Sequence, residues 1–199
     1  YSDYEEDMNG QRINRSIIRS SFVEISRMYE SQKVLQKNVV FLICDNTLEA
    51  ISLYCYHLVH KNIVFLIGRE KGDRDIIDLI DNFAPEEIFL CPGRFRYEEQ
   101  VRELKSRNYR RVSGYHQYTR YQRRYNDVWS NLDDNTALLI TTSGSVGNGK
   151  VVALSYDNLR KNAEAIIQSL EIDHHDMAGL LLPISYVYGL SVVNSHLLA

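Results

Sequence analysis

The chain has 199 residues, 44% hydrophobic and 25% charged, with a net charge of −3; this suits one globular domain, or part of a larger one, whose core needs no disulfide or metal. The overall balance does not point to nucleic acid. Cys44, Cys55 and Cys91 are odd in number, far apart and set in apolar surroundings, which argues against a disulfide framework or a zinc site and for buried reduced thiols in a cytoplasmic protein.

The N-terminus, YSDYEEDMNG, is acidic and polar, the reverse of a signal peptide, and the apolar stretches are too short to span a bilayer. The chain starts at Tyr1 without methionine and stops at SHLLA inside an apolar pattern, so an excised piece of a longer protein is expected. VVFLIC (39–44) reads as a buried strand. A helix over roughly 47–60 follows, with Asn46 three residues before Glu49 as its cap. IVFLI (63–67) is a second strand, DRDIIDLIDNF (73–83) a helix with Ile76, Ile77, Leu79 and Ile80 inward, and EIFLC (87–91) a third strand ended by Pro92-Gly93. Continuous apolar strands alternating with helices predict an α/β fold with a parallel βαβ sheet covered on both faces. No G-x-G-x-x-G follows a strand, so the dinucleotide-binding fingerprint is missing.

Residues 94–125 hold ten Lys and Arg against three Glu, a local charge of +7, which leaves −10 on the rest of a chain of net charge −3. Six tyrosines are interleaved there, a mix also seen on surfaces that bind single-stranded nucleic acid. Without a module signature, the segment reads instead as a surface helix (about 97–107) and one or two edge strands, tyrosines packed and arginines outward. Nucleic acid is therefore not an expected partner.

ALLITT (137–142) and KVVALS (150–155) are strands flanking the loop TTSGSVGNGK (141–150). A helix follows, with Ser155 as N-cap and Leu159, Ala163, Ile166, Ile167 and Leu170 at helical spacing. AGLLLP (178–183) reads as another strand and YGLSVVNSHLLA as the start of a helix. From Gly144 the loop comes within one residue of G-x-x-x-x-G-K-[ST], but Val151 replaces the hydroxyl that would hold magnesium. A P-loop must also open a helix, and VVAL is a poor first helical turn. Strand–loop–strand can still grip a polyphosphate, because glycines let successive N–H groups turn inward and hydroxyls and a lysine add donors and charge. A plain glycine-rich hairpin turn would look the same locally.

The series TTSGSVGNGK, LSYDNL (154–159) and LPISYVYGL (182–190) resembles, in order and spacing, the adenylate-forming (AMP-binding) superfamily of acyl-CoA synthetases, nonribosomal-peptide adenylation domains and luciferases. NVVFLICDNTLEAISLYCYHLVHKNIVFLI is similar to that family's first strand–helix–strand. The resemblance implies the N-terminal portion of the ligase large domain, divided as a first βαβαβ lobe (1–93), a basic connecting segment (94–136) and a phosphate-loop lobe (137–199), with a second strand cluster from near 109. It implies that Thr142, Ser143, Gly144, Ser145 and Gly147 wrap the ATP β- and γ-phosphates, and that Lys150 closes the loop as the catalytic cation. Tyr186 and Gly189 would edge the acyl pocket, although aromatic packing at a strand end also accounts for Tyr186.

Members of that family join a carboxylic acid to ATP and pass the acyl group to coenzyme A or a carrier pantetheine. Magnesium is implied as well, but its acidic ligand belongs to motifs beyond residue 199, so the resemblance also implies that this piece alone forms no acyl-adenylate. No metal ligand is assigned within it. The pattern departs from the family at Val146, Gly149, Tyr156 and Tyr186, where Thr, Pro, His and His are usual. Losing the threonine hydroxyl removes a phosphate donor worth roughly 1.5–3 kcal/mol. The alternative is a non-catalytic nucleotide-binding or scaffolding module of the same fold.

Overall fold

The structure, a computed structural model, describes residues 5–6, 12–29, 37–94, 98–124, 132–142 and 150–199. A short antiparallel pair, β1 (Glu5–Glu6) and β2 (Arg12–Ile13), leads into α1 (Arg15–Tyr29). Then β3 (Val39–Cys44), α2 (Leu48–Val59), β4 (Ile63–Gly68), α3 (Asp73–Phe83) and β5 (Glu87–Leu90) alternate as the apolar runs predict. Every residue of these three strands is buried, and each large apolar side chain so covered contributes about 1.5–3 kcal/mol. The remaining elements are α4 (Glu98–Ser106), β6 (Tyr109–Tyr115), β7 (Tyr118–Arg123), β8 (Thr136–Thr141), β9 (Val151–Ser155), α5 (Tyr156–Leu170) and α6 (Val187–Leu198).

The larger strands form one seven-stranded sheet in the order β6-β7-β5-β3-β4-β8-β9. Its centre, β5-β3-β4-β8, is parallel, and an antiparallel hairpin extends it at each side. The α/β fold is thus present, and the strand cluster beginning at Tyr109 adds to the same sheet. Short connections force the antiparallel returns: β6 and β7 are joined by His116-Gln117 alone, with His116 at φ 49°. Helices cover both faces. Phe83 of α3 packs on Phe65 at 5.4 Å, while His57 of α2 packs on Phe89 at 5.6 Å on the opposite face.

Several local expectations are corrected. The N-cap of α2 is Thr47, whose hydroxyl accepts the Ala50 N–H at 3.2 Å, because Asn46 is engaged elsewhere. Segment 178–183 is not a ladder strand; Gly179 makes a single bridge, and Leu181 is 81% exposed. Its carbonyls at Leu180 and Leu182 accept from the Asn46 amide where a strand would take a neighbour's N–H groups. Ser155 caps α5 as expected, in a capping box with Asn158. Of the apolar stripe on α5 only Ala163 is buried, since the helix lies over edge strand β9 and α6, and Leu170 is exposed.

The basic segment meets expectation in its helix, its two strands and its packed tyrosines, and departs from it at Arg120. Tyr109, Tyr115, Tyr118 and Tyr121 are buried, so their rings offer no stacking face to a nucleic-acid base. Arg110 and Arg111 point outward, but Arg120 is fully buried. Its guanidinium pairs with Glu87 at 2.8 and 3.0 Å and lies 4.1 Å from the Tyr29 ring centre. Phe89 is the register partner of Arg120, which puts Glu87, two residues earlier, on the same face. Among the described residues no helix is long and apolar enough to cross a membrane.

Candidate functional site

The parallel strands β5, β3, β4 and β8 all end at one edge of the sheet, where the connections of such a fold leave a crevice for ligands. At this edge β8 runs into Thr142, whose backbone N–H donates to the Lys150 carbonyl at 2.9 Å and whose hydroxyl donates to it at 3.3 Å. Thr141 pairs with Val151 below them. Thr142 and Lys150 therefore form the exposed neck of a loop between two antiparallel strands. A strand and not a helix follows Lys150, as the β-branched run predicts. Ser143, Gly144, Ser145, Val146, Gly147 and Gly149 lie outside the described residues.

Neighbouring strand ends supply charge. Leu66 pairs with Ile140, so Gly68 and Thr142 each lie two residues further along adjacent strands. The Glu70 side chain folds back over Gly68, where an added Cβ would sit 2.2 Å from its Oε1. That oxygen accepts from the Tyr186 hydroxyl at 3.1 Å. The accepted bond and the carboxylate charge raise the Tyr186 pKa above the ordinary tyrosine value. Asp45, just past β3, pairs with Arg69 at 2.6 Å, and Arg69 also reaches the Pro92 carbonyl. Burial pushes the Cys91 thiol up to about 11 and raises Cys44 as well, so both stay protonated and poorly nucleophilic at neutral pH. What the edge offers is hydroxyls, backbone groups and the cations Lys150 and Arg69 alongside the carboxylates Asp45 and Glu70; of these the hydroxyls, N–H groups and cations suit an anionic ligand.

Tyr186 caps the start of α6 without a side-chain cap bond and is 43% exposed. Gly189 is buried in the first turn, where a Cβ would meet the Leu182 and Pro183 carbonyl oxygens at 2.3 and 2.5 Å. Its lack of a side chain lets α6 start directly on that turn. Gly189→Ala is expected to cost about 1–3 kcal/mol by overpacking; a thermal midpoint unchanged from the parent would refute this. Tyr156 lies at the opposite edge, because β9 runs back along β8: its hydroxyl donates to the Asn62 carbonyl at 3.0 Å, and the Lys61 ammonium sits 4.3 Å from its ring centre. Two cavities lie away from the neck of the β8–β9 loop. One, about 540 Å³, is lined by Arg15, Arg19, Asp173, His174 and His196, and the other, about 580 Å³, by Asp133, Thr136, Ser155 and Asp157. None of Thr142, Lys150, Tyr186 or Gly189 lines either. Glu70 and the side-chain role of Asn46 were not legible in local sequence; Glu70 stands in an ordinary polar turn and Asn46 resembles a cap.

No family model matches the sequence, and no curated protein does. Solved structures do match in fold. The chain is similar to ATP-bound MatB from Rhodopseudomonas palustris, with 18% identity and a TM-score of 0.73 over 98% of this chain and 40% of that one. It is also similar to O-succinylbenzoate coenzyme A synthetase (MenE) from Bacillus subtilis in complex with AMP, at 15% identity and TM-score 0.70 over 99% and 50%. A third is a malonyl-CoA ligase with methylmalonyl-CoA and AMP bound, at 14% identity and TM-score 0.65 over 99% and 39%. The chain thus spans between about two-fifths and half the length of these proteins.

Proposed function

We propose, from the fold this chain shares with the N-terminal part of adenylate-forming CoA ligases, that it is the ATP-phosphate-binding portion of an AMP-forming, carboxylate-activating ligase. In this reading the whole protein joins a carboxylic acid to ATP, releases pyrophosphate, and passes the acyl group to the thiol of coenzyme A or a carrier pantetheine. The observation that carries it is the β8–β9 hairpin, which opens at the ligand-side edge with a hydroxyl and a cation, Thr142 and Lys150, at its neck. The leaving pyrophosphate gains negative charge as the bond to the α-phosphate breaks, and donors already aimed at that charge lower the barrier. Lys150 supplies the positive charge, while Thr142, Ser143, Gly144, Ser145 and Gly147 supply hydroxyl and backbone donors. Tyr186 and Gly189 border the carboxylate side. The magnesium ligand is assigned to the part of the ligase beyond this chain. The reaction is placed in the cytoplasm, where ATP is abundant and the three thiols, unbridged in the structure, stay reduced.

The test uses the complete protein. Lys150→Ala is expected to weaken ATP binding roughly ten- to a hundredfold, the worth of one charge-assisted contact, when titrated calorimetrically with magnesium present. Carboxylate-dependent exchange of pyrophosphate into ATP is the companion assay. Absence of any ATP binding by the parent protein would overturn the reading. Binding without exchange for any acid would favour the non-catalytic nucleotide-binding module.

A further inference from the structure

Asn46 lies two residues past β3 and is 7% exposed. Its amide nitrogen donates to the Leu180 carbonyl at 3.2 Å and to the Leu182 carbonyl at 2.9 Å, and its amide oxygen accepts the Ile184 N–H at 2.9 Å. One side chain thus holds three backbone groups of a segment more than 130 residues away. Two carbonyls demand the NH₂ end and one N–H demands the oxygen, so the amide has a single satisfactory orientation. Aspartate lacks the donors, glutamine is one carbon too long, and serine reaches none of the three positions together. The segment it holds forms no ladder strand and runs directly into Tyr186. The Tyr186 N–H bond to the Pro183 carbonyl and the close approach of Gly189 support the turn from the other side, and Leu180 and Ile184 are buried in the core.

We propose that Asn46 is the positioning residue for the carboxylate side of the site: by pinning Leu180, Leu182 and Ile184 it sets Tyr186 against Glu70 at the edge where the phosphate loop opens. Its consequence for activity rests on the ligase reading, whereas the pinning itself does not.

The experiment compares Asn46→Ala with Thr47→Ala in the complete protein. Thr47 caps α2 from the next position and has no bond to residues 180–186 among those described for that segment, so it controls for lost stability alone. In Asn46→Ala the Ile184 amide is expected to exchange at least tenfold faster, and the Tyr186 phenol to titrate lower, toward a free tyrosine. With malonate, acetate or benzoate, whichever supports pyrophosphate exchange, the acid KM is expected to rise tenfold or more while the ATP KM stays within threefold. Thr47→Ala is expected to lower the thermal midpoint and leave the other three readouts in place. If Asn46→Ala does not fold, Asn46→Asp, which keeps the acceptor for Ile184 and loses both donors, is read by the Tyr186 titration. An unchanged Ile184 exchange rate and Tyr186 titration in the Asn46 variant, or equal changes in Thr47→Ala, would overturn the proposal. If the parent protein supports exchange with no acid, the ligase reading falls, and the amide and phenol readouts still decide the pinning.

Discussion

Replacing Glu87 by alanine is expected to remove about 3–5 kcal/mol of stability from the sheet that carries the site, because it leaves the Arg120 charge buried without its carboxylate. Arg120 is fully buried, so its guanidinium has no solvent to turn to. The same carboxylate accepts from the Tyr29 hydroxyl at 2.5 Å, so the substitution also strands a donor from α1. The pair joins β5 to β7, and the loss is expected to show as faster amide exchange in those two strands and a lower urea midpoint. A buried ion pair need not be stabilising relative to an apolar pair of similar volume. Glu87→Leu combined with Arg120→Met is therefore expected to lose clearly less than Glu87→Ala. A cost below about 1 kcal/mol for Glu87→Ala would mean that water or a shifted backbone compensates the arginine.

The parts of the fold that were legible are those written in neighbouring residues. The apolar run IVFLI and the period of DRDIIDLIDNF give β4 and α3 with almost unchanged bounds, because burial on both faces of a strand, or on one stripe of a helix, leaves a local pattern. Ser155 was readable as a cap for the same reason. Long-range partners were not. Arg120 looked like a surface charge, since nothing near it announces that Glu87, 33 residues upstream, will meet it inside. Asn46 looked like a cap because Asn-x-x-Glu is a capping pattern, yet Thr47 takes that role and Asn46 bonds across more than 130 residues. The apolar run at 178–183 had the composition of a strand but not the neighbour that would make it one. Of the candidate site, Thr142 and Lys150 stand together at the loop neck where the motif places them, while Glu70 enters only through the register of β4 with β8.

The buried network that includes Glu87 also carries a pH signature. His57 is 1% exposed and its pKa is pushed down to about 3, first by burial and then by the nearby charges of Arg120 and His60. The hydrogen bonds explain why the neutral ring is preferred. Asn62 must turn its oxygen to the Asn38 N–H, so its NH₂ faces His57 Nδ1 at 3.1 Å and that nitrogen has to accept. The Tyr29 hydroxyl gives its proton to Glu87, so its oxygen can accept from His57 Nε2 at 3.4 Å. A second ring proton on Nδ1 would point at a donor. In the unfolded chain the histidine titrates near its ordinary value of about 6.5. Between that value and the folded one the unfolded state binds a proton that the folded state refuses, so stability is complete above about 6.5 and falls as the pH drops toward 3. The expected slope is roughly 1.4 kcal/mol per pH unit from this residue. Other groups titrate in the same range, so the quantity to measure is the difference between the parent and His57→Gln in urea unfolding at pH 7, 6, 5 and 4, buffer values chosen to bracket the window. The parent is expected to lose its advantage over the variant step by step as the pH falls. Parallel curves would show that His57 takes up a proton inside the fold, which would require the Asn62 amide or the Tyr29 hydroxyl to reorient.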